Sequence, residues 1–161
     1  MKKLSMLLIS LSLFVAHVAA AAGWQSYDAA AYGYSMLIPP GTQMVEKEWP
    51  LGWGGMSGIH DGVEIIGVAK LGAQETAAEI EKFGVLVTGI PGSAWTVVDS
   101  GSGHGWTWYK TVKAQQGGKL VYGGYGVGPR GSYLILVKTT AADYAQYRDD
   151  YEDWYHSVKL N

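Results

Sequence analysis

The 161-residue chain has no cysteine, seven tryptophans, eleven tyrosines and a formal net charge of −2. The slight acidic excess argues against a nucleic-acid-binding protein, because phosphate contacts normally need a clustered basic surface. The lack of cysteine excludes disulfides and the acyl-thioether anchor of bacterial lipoproteins, so the fold must depend on buried apolar area.

Residues 1–22 have the features of a secretory signal peptide. Lys2 and Lys3 precede an apolar run from Leu4 to Val15, and an alanine-rich stretch follows from Ala16 to Ala22. A membrane helix needs about 20 apolar residues, so this run is too short to be one. We therefore predict cleavage near Ala20 to Ala22, a periplasmic or secreted location, and no stable membrane anchor after cleavage.

Residues 23–161 have the length of a single domain, and no proline-rich, serine-rich or charged linker divides them. The first predicted strand runs from Tyr32 to Ile38 and ends at the turn sequence Pro39-Pro40-Gly41. The segment from Gln43 to Glu48 is a candidate for its neighbour.

A β-hairpin is predicted at Asp61-Gly62, which separates the strand-like runs Trp53 to His60 and Val63 to Leu71. Asp-Gly favours such a hairpin because both residues tolerate the positive φ that a tight turn requires. The second run is continuously apolar around Ile65, which is typical of a central strand.

A helix is predicted to begin at Thr76, where Thr76-Ala-Ala-Glu79 has the spacing of a capping box. Apolar residues then recur at three- and four-residue steps, and Gly89 and Pro91 supply the stop.

Four further strands are predicted: Trp95 to Asp99, His104 to Gln115, Lys119 to Val127, and Ser132 to Thr139. Short glycine-rich connectors predict an antiparallel meander for the last three, and both faces of the final strand are apolar, which places it centrally.

A second helix is predicted from Ala141 to His156, with a stripe formed by Tyr144, Tyr147, Tyr151 and Trp154. Packing of this stripe against the sheet is the ordinary interpretation, and an exposed aromatic binding surface is the alternative. The resulting fold class is α+β, with a central antiparallel sheet of about six to eight strands and two main helices packed against it.

No motif assembles a catalytic or metal site. The glycine-rich run Gly101-Ser-Gly103-His-Gly105 precedes an apparent strand, whereas a phosphate loop must open a helix. His60, His104 and His156 lack metal-ligand spacing. We therefore assign no catalytic residue, metal ligand or cofactor. The rival hypothesis is an exported hydrolase or metal-dependent enzyme that uses His60, His104 and an acid such as Asp61.

The tryptophans are the candidate binding residues, because aromatic side chains supply rigid contact area. Trp49 and Trp53 flank the loop-like segment Pro50-Leu51-Gly52, and Trp106 and Trp108 are expected to share one face of a strand. The first pair is the preferred site, since the second pair has the ordinary interpretation of core packing.

Two segments resemble the PsbP-like family. Tyr32-Gly-Tyr-Ser-Met-Leu-Ile-Pro-Pro-Gly41 is similar to the opening of its members, and Tyr151-Glu-Asp-Trp154-Tyr-His-Ser157-Val-Lys-Leu160 resembles their terminal helix and tail. The resemblance spans nearly the whole of residues 23–161 and implies a central antiparallel sheet with helices against it. Members and relatives include a photosystem II extrinsic subunit, a nuclear transport factor that binds a small GTPase, and bacterial chaperones of secreted effectors. The resemblance implies protein binding and offers no catalytic residue to carry over.

The leading hypothesis is therefore an exported, non-enzymatic domain that recognises another extracytoplasmic protein through an aromatic-lined sheet face or loop.

Overall fold

The computed structural model of the chain describes residues 23–161, so the predicted signal peptide lies outside the described residues. Ten strands and three helices follow one another along this part of the chain. The strands are β1 (Gln25–Ala29), β2 (Tyr34–Ile38), β3 (Val45–Trp49), β4 (Trp53–His60), β5 (Val63–Leu71), β6 (Trp95–Gly103), β7 (Trp106–Gln116), β8 (Lys119–Gly128), β9 (Gly131–Thr140) and β10 (Lys159–Leu160). The helices are α1 (Ala77–Thr88), α2 (Ala141–Gln146) and α3 (Arg148–His156).

Seven strands form an antiparallel sheet in the order β3-β4-β5-β9-β8-β7-β6. A second antiparallel sheet has the order β1-β2-β10. The predicted α+β fold with an antiparallel sheet is confirmed, as are the meander and the central position of β9. The predicted hairpin is confirmed as well, since Asp61 and Gly62 have φ values of 49° and 80°.

Each face of the seven-stranded sheet has its own apolar core. Side chains alternate along a strand, so Ile65 of β5 belongs to one core and Ile66 to the other. Helix α1 packs over the core that contains Ile66. The three-stranded sheet, α2 and α3 pack over the core that contains Ile65.

The start and end of α1 agree with the prediction. Thr76 Oγ1 accepts a hydrogen bond from the Glu79 amide at 3.3 Å, and the Thr76 amide donates to Glu79 Oε2 at 2.7 Å. Gly89 ends the helix in the left-handed conformation that glycine adopts without steric cost.

The single closing helix of the prediction is wrong, because the backbone breaks at Tyr147 (φ −119°, ψ 32°) and separates α2 from α3. Asp149 and Asp150 lie in the first turn of α3, where carboxylates favour a helix start. Tyr144, Tyr151 and Trp154 are buried as a packed stripe, whereas the break leaves Tyr147 45% exposed.

The first part of the chain also differs from expectation. Strand β3, predicted as a neighbour of β2, pairs with β4 instead, and β2 pairs with β1 and β10. Strands β1 and β10 were not predicted, since β1 is mostly exposed and β10 has only two residues, so neither shows a clear apolar pattern. No helix within residues 23–161 is both long enough and apolar enough to cross a bilayer.

Candidate binding surfaces

The preferred sequence site lies at the tip of the β3–β4 hairpin. A single 3₁₀ turn, Pro50–Gly52, joins the two strands, and Trp49 lies directly across from Trp53. Leu51, at the apex, has the left-handed conformation (φ 66°, ψ 22°) and is 66% exposed. The hairpin thus presents a large apolar side chain to solvent from a backbone conformation that L-residues rarely adopt.

The two tryptophans of this hairpin have different environments. Trp53 is only 3% exposed, and its ring stacks on Phe83 of α1 with a centroid distance of 4.2 Å and an interplanar angle of 6°. Trp53 therefore holds the hairpin against α1, and its ring is not on the surface. Trp49 is half-buried, with Lys47 Nζ at 5.1 Å from the centre of its ring.

An open groove of about 460 Å³ adjoins the hairpin tip and is lined partly by Tyr32, Glu48, Trp49 and Leu71. Tyr32 donates a hydrogen bond to Glu46 Oε1 at 2.6 Å. This bond to a carboxylate raises the pKa of Tyr32 to about 12. The groove therefore combines aromatic side chains with a carboxylate at its border.

Two more exposed apolar residues lie along β3 and β4 on the face of the sheet that carries Trp49. Val45 is 63% exposed and Ile59 is 69% exposed. Val45 lies two positions along β3 from Lys47 and four from Trp49, so the three side chains leave the same face of the sheet. Ile59 is two residues beyond Ser57, which pairs with Val45, and shares that face. We call Val45, Trp49, Leu51 and Ile59 the hairpin surface.

Trp106 and Trp108 do not share a face, contrary to the expectation from strand alternation. Trp106 packs edge-on against Tyr133 in the core beneath the three-stranded sheet, whereas Trp108 packs edge-on against Tyr125 in the core beneath α1. The reason is a bulge in the pairing of β6 with β7: Gly101 pairs with Tyr109 and Gly103 with Trp106, so β7 has one extra residue here and the alternation shifts. Trp106 is buried and Trp108 is half-buried, so both mainly support the core.

The histidines of the rival enzyme hypothesis lie far apart. His60 ends β4, and His104 lies in the turn between β6 and β7, so four strand spacings, or roughly 19 Å, separate them across the sheet. They also lie at opposite ends of the strands. His60 Nε2 is 3.4 Å from Asp61 Oδ2, but the two residues adjoin in sequence. Within residues 23–161, no group of three or more histidine, cysteine or acidic residues is arranged to hold a metal ion.

The exposure of Leu51, Val45 and Ile59 was missed by the sequence analysis. Alternation shows that Val45 and Trp49 share a face, but it does not show whether another element covers that face. The available signal was the end of α1 at Gly89, because a twelve-residue helix is too short to cover all seven strands.

The comparison with solved structures agrees with this architecture. No protein-family model matches the chain, and no curated protein matches its sequence. Among solved structures, the fold is similar to the solution structure of cyanobacterial PsbP (CyanoP) from Synechocystis sp. PCC 6803, with a TM-score of 0.55 and 14% sequence identity. The similarity covers 92% of this chain and 99% of that chain. At this level of identity it concerns the fold alone, and the fold of this chain is PsbP-like.

Proposed function

We propose that the mature chain is an exported, non-enzymatic domain that binds another extracytoplasmic protein through the hairpin surface. The observation that carries this proposal is the conformation of Leu51, whose side chain is exposed although its backbone is left-handed. A left-handed conformation costs a non-glycine residue about 1–2 kcal/mol. Such outliers persist mainly at ligand contacts and functional sites.

Burial of the hairpin surface in a complex would offset this cost. Transfer of one leucine side chain from water to an apolar environment contributes about 1.5–3 kcal/mol. Leu51 and Trp49 adjoin at the tip, and Val45 and Ile59 extend the apolar area along the strands. Trp49 is of the residue type most enriched at the centre of protein interfaces, and the aliphatic side chains add apolar contact area beside it.

The charges around the hairpin define the partner further. Glu48 borders the groove, and Glu46 holds Tyr32 beside it. These two carboxylates leave the opposite face of β3 from Val45, Lys47 and Trp49, because side chains alternate along a strand. A partner that encloses the tip would match this arrangement with lysine or arginine on the side of Glu46 and Glu48 and a carboxylate on the side of Lys47, because complementary charges set orientation and association rate.

Side chains, and not the free backbone edge of β3, are the expected point of contact. Glu46, Lys47 and Glu48 are all exposed on this edge strand. Charged side chains on an edge strand oppose the addition of another strand. The proposal therefore concerns insertion of Leu51 and Trp49 into a partner, with no extension of the sheet.

Export rests on the predicted signal peptide, and N-terminal sequencing tests it. Protein purified from the periplasm or medium of the source cells should begin within residues 21–23. A mature chain that starts at Met1 and stays with the membrane would contradict export while leaving the hairpin surface untested, so the two parts of the proposal can fail separately.

Site-specific photo-cross-linking tests the surface. A benzophenone amino acid replaces Leu51 in one variant and Leu86 in another, since Leu86 is also an exposed leucine but lies on α1. We expect one protein adduct from position 51 and none of the same mass from position 86. With that partner purified, Leu51→Gly and Trp49→Ala should each weaken binding at least tenfold, and Leu86→Ala should leave it within twofold. Equal affinities for all three variants would refute the surface assignment.

A further inference from the structure

A second concave site lies at the other end of β4 from the hairpin tip. It is a pocket of about 190 Å³ between the β4–β5 turn, β9 and the junction of α2 with α3. Trp53 and His60 mark the two ends of β4, so roughly 23 Å separates the pocket from the hairpin tip. The pocket therefore lies away from the hairpin tip, and it is on the opposite face of the sheet from Ile59, because neighbouring side chains alternate along β4.

Its walls are aromatic and its floor is aliphatic. Trp24, Tyr147 and Tyr151 line the sides, and Ile65 and Val137 form part of the base. Tyr151 is buried and Trp24 is half-buried. Tyr147 borders this pocket because the chain breaks at that residue, as described above.

The charged groups around this pocket are almost all acidic. Asp61, Asp143 and Asp150 line it, no lysine or arginine does so, and His60 is the single basic side chain among the lining residues. Asp143 is held in place, since it accepts hydrogen bonds from Thr139 Oγ1 at 2.6 Å and from the Tyr151 hydroxyl. The side chain of Asp61 extends into solvent beside the entrance.

We propose that this pocket binds a small alkylammonium cation. Aromatic faces attract quaternary and alkylated ammonium groups through the ring quadrupole, and this attraction strengthens where water is excluded. The carboxylates stabilise the positive charge, and the aliphatic base accommodates the alkyl groups. A cavity of about 150 Å³ accepts one benzene ring, so the volume here suits a single compact head group.

Choline and its neutral isostere 3,3-dimethylbutan-1-ol provide a matched pair of probes, because they have the same shape and differ in charge. NMR titration of the full mature chain should show saturable shifts of the Ile65 and Val137 methyl groups with choline at millimolar concentrations. The neutral alcohol should bind at least tenfold more weakly. Equal binding of both compounds, or no saturable shift with choline, would overturn the proposal.

Substitutions at exposed positions test the two sources of attraction while leaving the core intact. Tyr147→Leu keeps an apolar side chain but removes the ring, and should weaken choline binding about five- to tenfold. Tyr147→Phe keeps the ring and should stay within about threefold of the unmodified chain. Asp61→Asn removes one carboxylate and preserves the turn, because asparagine tolerates positive φ; it should weaken choline but leave the alcohol unaffected.

Leu86→Ala, on the opposite side of the sheet, is the control and should change nothing. If Tyr147→Leu and Tyr147→Phe bound choline equally, the aromatic contribution would be refuted. If Asp61→Asn weakened choline and the neutral alcohol alike, the electrostatic contribution would be refuted.

Discussion

Tyr34 of the three-stranded sheet lies directly on Gly67 of the seven-stranded sheet. Its hydroxyl donates a hydrogen bond to the carbonyl oxygen of Gly67 at 2.7 Å, and both residues are deeply buried. A Cβ atom built on Gly67 would be 2.5 Å from the Tyr34 hydroxyl oxygen. The two sheets can therefore approach each other here only because residue 67 has no side chain.

Substitution of this glycine is expected to destabilise the protein. Gly67→Ala should lower the free energy of unfolding by about 1–3 kcal/mol, the usual cost of overpacking a core. The control is Gly118→Ala, since a Cβ atom there meets no other atom within 4 Å and φ is not positive. Urea denaturation monitored by tryptophan fluorescence measures both. Equal stability of the two variants would show that Tyr34 can move away without cost.

The contact between Tyr34 and Gly67 joins distant parts of the chain, and such contacts were not predicted from the sequence, whereas features that depend on neighbouring residues were. The Asp61-Gly62 turn and the Thr76 to Glu79 capping box depend on neighbouring residues, so local patterns predicted them correctly. Pairing of β2 with β10 joins residues that are more than 120 positions apart, and no local pattern encodes it.

The candidate sites show the same difference between local patterns, which were predicted, and contacts between distant residues, which were not. Sequence reasoning selected the Trp49 to Trp53 hairpin because of its composition, but burial of Trp53 depends on its stacking partner Phe83, 30 residues away. The break at Tyr147 was missed because an apolar stripe with helical spacing continues across it. The pocket next to Tyr147 forms from several distant elements and was not predicted.

Leu51 provides a test of stored backbone strain. Leu51→Asn should raise the free energy of unfolding by about 0.5–1 kcal/mol, because asparagine adopts the left-handed conformation more readily than leucine. The same substitution at Leu86, a regular helical position, should lower it by about 0.5 kcal/mol through reduced helix propensity. Urea denaturation of both variants measures the difference. Destabilisation by Leu51→Asn would mean that the leucine conformation carries no strain.

Stability should fall steeply in alkali because buried tyrosines must keep their protons in the folded state. Burial raises the pKa of Tyr155 above its ordinary value of 10.0, and Thr111 nearby only partly offsets this effect. Between pH 10 and the higher folded-state pKa, the unfolded chain binds fewer protons than the folded chain. The free energy of unfolding therefore decreases as pH rises, by about 1.4 kcal/mol per pH unit for each such group.

Tyr155→Phe isolates one of these groups. Between pH 8 and pH 11, the variant should lose about 1.4 kcal/mol less stability than the unmodified chain, since one buried proton no longer contributes. Denaturant unfolding at both pH values gives this difference, and any constant effect of the substitution cancels. The same loss in both proteins would contradict a raised pKa for Tyr155.

The C-terminal end of α3 binds the backbone of β2 at Leu37. The Leu37 amide donates to Ser157 Oγ at 3.0 Å, and Trp154 Nε1 donates to the Leu37 carbonyl oxygen at 3.1 Å. Strand β10 pairs with β2 only at Tyr34 and Ser35. Beyond the end of β10, the side chains of Ser157 and Trp154 therefore supply the hydrogen-bond partners of the β2 backbone. The spacing of Trp154 and Ser157, three residues apart, places both on one side of the helix end.

Removal of either side chain should leave a different polar group of Leu37 without its partner. Ser157→Ala should cost about 1–3 kcal/mol of stability, and Trp154→Phe about 2–4 kcal/mol because it also leaves a cavity. The free energy of unfolding of Ser100→Ala, at an exposed position in β6, should stay within about 0.5 kcal/mol of that of the unmodified chain.

Amide hydrogen exchange distinguishes the two contacts. Ser157→Ala should accelerate exchange of the Leu37 amide relative to that of Met36, whereas Trp154→Phe should leave this ratio unchanged because the amide keeps its serine acceptor. An unchanged ratio in Ser157→Ala would show that the serine does not hold this strand.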